Sequence, residues 1–354
     1  MAQRASKPKD CDKWLSYLSK SCSIIVLTST STILSGFGIT VSAQIIPDNT
    51  LPNNSLILPN GNIKEINGGT TSGNNLFHSF EQFSLSTGDT AWFNNAVNIE
   101  NILGRVTGNS ISNIDGLIRA NGNANLFLIN PQGIVFGENA SLDIGGSFLA
   151  STADSIQFAD GSEFSAIASQ ESPLLTVSIP IGLQYGGNQG DIVVEGIGNQ
   201  LRFNPDFTVN RHSRPDGLKV NSGETLALLG GNIWLDGGNL TAQEGKIALG
   251  SVAGGGFVRL DGVNSDWSFD YSEISGFQDI NLLNASSLEV SGSGGGDVHL
   301  QGREVVIVDG SAILADNFGA HDGGVLQINA SETLVVAGTT ADRESFISRS
   351  STDE

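Results

Sequence analysis

Apolar and polar positions alternate along this chain in short stretches. Leu126-Phe127-Leu128-Ile129 and Ile134-Val135-Phe136 flank the break Asn130-Pro131-Gln132-Gly133. Pro fixes φ and Gly admits a left-handed backbone, so the pattern predicts two strands joined by a turn. Gly145-Gly146 before Ser147-Phe148-Leu149-Ala150, and Asp160-Gly161 after Ser155-Ile156-Gln157-Phe158, predict further corners of the same kind. No stretch has the period of an amphipathic helix. Short strands punctuated by glycine corners point to an all-β solenoid or a sandwich.

The second half favours the solenoid. Gly296-Asp297-Val298-His299-Leu300 and Gly324-Val325-Leu326-Gln327-Ile328 stand 28 residues apart, and each runs on into a second apolar stretch, Val305–Val308 or Thr333–Val336. Gly231-Asn232-Ile233-Trp234-Leu235 has the same form and is expected at the same repeat position. Imperfect repetition at this period is the mark of stacked β-helix coils, which bury their apolar sides only against neighbours. No proline follows Pro215, so an unbroken ladder of backbone donors is available. An antiparallel sandwich with similar turns is the competing architecture.

Composition agrees with short strands and against helices. Of 354 residues, 45 are Gly and only 15% are charged, and Gly in a helix interior costs about 1 kcal/mol relative to Ala. The formal net charge of -20 would repel a nucleic-acid backbone, and no basic stripe offsets it. We therefore expect no nucleic-acid partner.

The first 43 residues have the form of a secretory signal. Arg4, Lys7, Lys9, Lys13 and Lys20 precede a Ser/Thr-diluted apolar stretch that ends at Val41-Ser42-Ala43, so cleavage is expected between Ala43 and Gln44. Both cysteines, Cys11 and Cys22, fall inside this segment. The chain from Gln44 onward would then hold no cysteine and about -23 charges, 12 basic against 35 acidic residues.

A series of motifs lies in order between Ile46 and Ser165: Asn74-Asn75-Leu76-Phe77-His78-Ser79-Phe80, Ile102-Leu103-Gly104-Arg105-Val106-Thr107-Gly108, Ser112-Asn113-Ile114-Asp115-Gly116, Leu128-Ile129-Asn130-Pro131-Gln132-Gly133-Ile134-Val135-Phe136-Gly137 and Gly145–Ala150. Together they resemble the secretion domain of two-partner secretion exoproteins of the filamentous haemagglutinin type, and are similar to its cyanobacterial members. The family phrase Asn-Pro-Asn-Gly-Ile is carried here with Gln132 in place of the second Asn. Its other motif, Asn-Pro-Asn-Leu, is replaced by Asn94-Asn95-Ala96-Val97, which weakens any recognition role for Asn94 and Asn95. The resemblance implies a right-handed parallel β-helix with an N-terminal cap, the secretion domain spanning residues 44–165 and further coils 166–354. It also implies passage through the periplasm and an outer-membrane transporter that recognises the secretion domain with its POTRA domains. The exported product would be an adhesin, extracellular or held at the outer membrane, with a surface or carbohydrate ligand. A monomer without cofactor is expected.

Asn94, Asn95, Asn130, Pro131, Gln132, Gly133 and Ile134 are therefore the candidate secretion residues. Their alternative role is structural, as a turn whose Asn side chain satisfies backbone groups. No catalytic and no metal-ligating set is expected. His78, His212, His299 and His321 lack ligand spacing, and Asp297, Asp309, Asp316 and Asp322 are expected as solvated corners of the coils. A β-helix polysaccharide-degrading enzyme and a self-transporting surface protein are the rival readings. The first would need clustered Asp, Arg or Lys on one face, the second a terminal membrane barrel.

Overall fold

A computed structural model describes residues 44–167, 175–206, 208–262, 266–338 and 344–350. The expected signal segment 1–43, with Ala43, lies outside the described residues. Among those described, every regular element is a strand.

Parallel strands stack into a three-faced β-helix. Face one stacks Asn75–Phe83, Asn101–Val106, Asn125–Ile129, Phe148–Ser151, Thr225–Gly230 and Lys246–Ser251. Face two stacks Ser112–Ile114, Ile134–Phe136, Ile192–Glu195, Ile233–Asp236 and Ile280–Leu283. The long strands Asp297–Val308 and Leu326–Ala337 run across both faces and join them into one sheet. Face three consists of two five-stranded sheets, one beginning with the hairpin Ser55–Asn60 and Ile63–Gly68, the other ending in Phe346–Ser348.

The register explains why so many apolar side chains are needed. Leu76, Ile102, Leu126, Phe148, Leu226, Ile247 and Val298 are successive partners on face one, and all lie in the interior cluster. Each is nearly free of solvent only because the coil above and the coil below are present, which is worth roughly 1.5–3 kcal/mol per side chain. Within one strand Leu126 and Leu128 point inward, while Phe127 and Ile129 belong to a second, outer cluster. That outer cluster is sealed by a five-stranded antiparallel sheet built from two excursions, in the order Glu163–Ser165, Ser155–Phe158, Pro180–Tyr185, Gly256–Asp261, Ser268–Asp270. Burial on both sides accounts for the uninterrupted apolar run Leu126–Ile129.

The N-terminal end is capped. Ile45–Pro47 and Thr70–Ser72 both pair antiparallel with Asn75–Phe83 and occupy its outer edge. Antiparallel strands here end the parallel stack and cover what would otherwise be an open edge.

The repeat reading needs one correction. Val298 and Leu326 are register partners, as the 28-residue spacing predicts. Trp234 lies instead on face two, beside Val193 and Asn281, whereas His299 lies on face one beside Ala248. Similar local patterns arise because strands on either face need an inward residue at every second position.

Candidate secretion site

Asn130, Pro131, Gly133 and Ile134 are buried, and Gln132 alone of this motif is exposed. The turn closes with Gly133 N–H donating to Asn130 O at 3.1 Å. Asn130 Oδ1 accepts from Gln132 N at 3.0 Å, while its Nδ2 donates to Ser110 O at 3.0 Å and Ser112 Oγ at 2.9 Å, one coil away. On the other side Asn130 N donates to Ser151 O, and Gly190 N to Pro131 O, both at 2.9 Å. The amide thus satisfies backbone groups at a corner where coils meet. Gly133 has φ +124°, and a Cβ there would stand 3.1 Å from Asp191 O. The residue types follow from these two constraints.

Asn94 and Asn95 occupy a different corner, after face three. Asn94 Nδ2 donates to Asn67 Oδ1 at 3.0 Å, and Asn94 Oδ1 accepts from Asn121 Nδ2 at 3.1 Å. Asn95 Oδ1 accepts Asn121 N at 2.9 Å, and its Nδ2 reaches Asn121 O at 3.0 Å. A parallel ladder runs at the start of face one, where Asn101 donates to Asn75 at 3.0 Å and Asn125 to Asn101 at 3.1 Å. The structure does not bring Asn94 and Asn95 together with Asn130; they serve separate corners.

One cluster was not picked out by sequence reasoning. Asp48 Oδ2 accepts from Ser79 Oγ and Thr107 Oγ1, each at 2.6 Å, and Oδ1 accepts Thr50 Oγ1 at 2.7 Å. Burial opposes its charge, but these hydroxyl donors hold the carboxyl below its ordinary range. Arg105, also buried, donates to Ser79 Oγ and Thr50 Oγ1, each at 2.8 Å, and to Ser165 O, and lies 4.4 Å from the Phe164 ring centroid. Arg105 and Thr107 belong to the quoted motif Ile102–Gly108. Their partner Asp48 stands more than fifty residues earlier, with no local signal to mark it. The cluster ties the cap, the second coil and the outer sheet together. Behind it, His78 is buried inside the first coil with Nδ1 3.0 Å from Ser55 Oγ, and its Nε2 has no hydrogen-bond partner among the described residues.

The acidic corners are not uniformly solvated as expected. Asp316 is buried, paired with Arg211, and receives Ser348 Oγ and Ser350 N at 2.7 Å each. Its neighbour Glu289 is also buried and lies 3.0 Å from Arg211 Nε. Arg214 donates to Ser287 Oγ and Thr241 Oγ1 at 2.8 Å each. The segment carrying Arg211 and Arg214 is thereby fastened over the later part of face three. Among the described residues no group of three or more His, Cys, Asp or Glu is placed to hold a metal ion.

The domain is a capped parallel β-helix with the Asn130–Gly133 and Asn94-Asn95 motifs at its corners. The sequence matches the model of the TPS secretion domain over residues 43–300, and the chain belongs to this two-partner secretion family. It is accordingly a two-partner exoprotein, exported across the outer membrane with a partner transporter. Two similar solved structures are the HMW1 secretion domain from Haemophilus influenzae and the filamentous hemagglutinin secretion domain. The first is 15% identical with TM-score 0.40, covering 86% of this chain and 100% of that one. The second is 16% identical with TM-score 0.40, covering 86% and 99%. No curated protein shows significant similarity to the chain.

Proposed function

We propose that the chain is a non-enzymatic adhesin, released from its signal between Ala43 and Gln44, carried through the periplasm and recognised by POTRA domains of its transporter. Within it, Asn130, Pro131, Gly133 and Ile134 act by building the secretion domain. The observation that carries this reading is the complete burial of Asn130, with its amide committed to neighbouring coils. A transporter cannot read a group that is shut from solvent and already hydrogen-bonded without first opening the coil. Of the seven candidate secretion residues, Gln132 and Asn94 are the exposed ones and stand open to direct contact, as do Ala96 and Val97 beside Asn94. The test is expression with and without the cognate transporter. External protein starting at Gln44 is expected only when the transporter is present. Equal external protein in its absence contradicts the proposal.

A further inference from the structure

Two of the three outer surfaces of the helix are covered: face one by the antiparallel sheet, and the later part of face three by the segment carrying Arg211 and Arg214. Face two is different. Val135, Val193, Trp234, Asn281, Val306 and Val335 are successive register partners along its outer side. They form one lane parallel to the helix axis, with strands about 4.8 Å apart. Trp234 at its centre is 36% exposed. Among the described residues its indole Nε1 donates no hydrogen bond and no other ring packs on it.

Apart from Asn281 beside Trp234 the lane is apolar, and it is narrow, with polar groups on both sides. On one side Asn232 Nδ2 donates to Asp191 Oδ1 at 3.0 Å; on the other Asn284 Nδ2 donates to Asp236 Oδ1 at 2.6 Å. Each amide and carboxylate in these pairs keeps further donor or acceptor capacity. Asp191, Glu195 and Asp236 make the borders negative. Arg303, in the long strand Asp297–Val308, is occupied by Asp279 at 2.8 Å and Glu332 at 3.2 Å. A protein partner would have to bury these carboxylates, which interface cores avoid. A ligand with a flat apolar face and a rim of uncharged hydroxyls fits instead: the face lies on the indole, and the rim meets the amide–carboxylate pairs.

We propose that the outer side of face two around Trp234 is a binding surface for a neutral glycan. This deepens the adhesin reading by naming the ligand class, and rests on it for its setting.

The test is affinity electrophoresis of the full chain in native gels containing a soluble neutral polysaccharide (mixed-linkage β-glucan, xylan, galactomannan or dextran) or a polyanion (alginate). At least one neutral polymer should slow the protein, and alginate should not. Trp234→Ala should weaken the retardation at least tenfold and Trp234→Tyr should largely restore it, both variants keeping a cooperative melt. Should the alanine variant misfold, tryptophan emission of the wild type with the retarding polymer, compared with that of Trp234→Tyr, decides, since a change due to Trp234 must disappear in that variant whatever Trp14, Trp92 and Trp267 contribute; unaltered emission counts against the site. Retardation in no neutral gel, retardation unaffected by Trp234→Ala, or loss of self-association rather than glycan binding in that variant overturns the inference. Normal export with no retardation sinks this inference alone. Retardation without transporter-dependent export sinks the export reading and leaves the glycan surface standing.

Discussion

Thr107 donates its hydroxyl to Asp48 at 2.6 Å, joining the second coil to the cap across 59 residues of sequence. Both Asp48 carboxylate oxygens are occupied by hydroxyl donors, and hydrogen bonds to a charged group contribute about 1.5–3 kcal/mol. Asp48→Ala should therefore destabilise the cap by an amount in that range, and Thr107→Val by somewhat less. Thermal melts and amide exchange over residues 45–72 check this. The carboxyl is held below its ordinary range. Its contribution is therefore present above the unfolded-state pKa and is lost as pH falls through the folded one.

His78 adds a second acid sensitivity. Burial pushes its imidazole from 6.5 down to about 3. The unfolded chain takes up a proton near pH 6.5 that the folded chain refuses, so stability falls from there down to about pH 3 and levels off below. At pH 5 the loss is about 2 kcal/mol. His78→Leu should flatten urea midpoints between pH 7 and pH 5. An unchanged pH slope in that variant would show that other groups dominate.

The central Asn of the ladder at the start of face one, Asn101, both donates to Asn75 and accepts from Asn125. Asn101→Ala leaves an amide on each neighbour without its partner, at about 1–3 kcal/mol if they stay buried. The same change at the exposed Asn98 should shift the melt by less than about 0.5 kcal/mol. Comparing the two in urea isolates the ladder from general loss of polarity.

The Asn130–Gly133 corner was legible from the sequence because its constraints are local: a Pro-Gly break between apolar runs dictates a turn, and positive φ at the fourth position dictates Gly. Coil stacking between Val298 and Leu326 was legible because register preserves sequence spacing. The phase of Trp234 was not, since strands on different faces carry the same alternation and only the excursions at 155–185 and 256–270 decide which face comes next. The Asp48 and Arg105 cluster and the pairing of Asp316 with Arg211 were hidden for a related reason. The contacts of Arg105 with Thr50, Thr107 with Asp48 and Arg211 with Asp316 span 55 or more residues, and a buried carboxylate looks like any other Asp until its donors arrive.

The most direct test of the secretion-motif account pairs export with stability for three variants in a host carrying the transporter. Asn130→Ala and Gly133→Val should each destabilise the domain by about 1–3 kcal/mol and reduce external protein in step, while Gln132→Ala, at the exposed position, should melt and export like the wild type. Loss of export in Asn130→Ala with an unchanged melt, or loss of export in Gln132→Ala, would contradict the account and show that the transporter reads the motif itself.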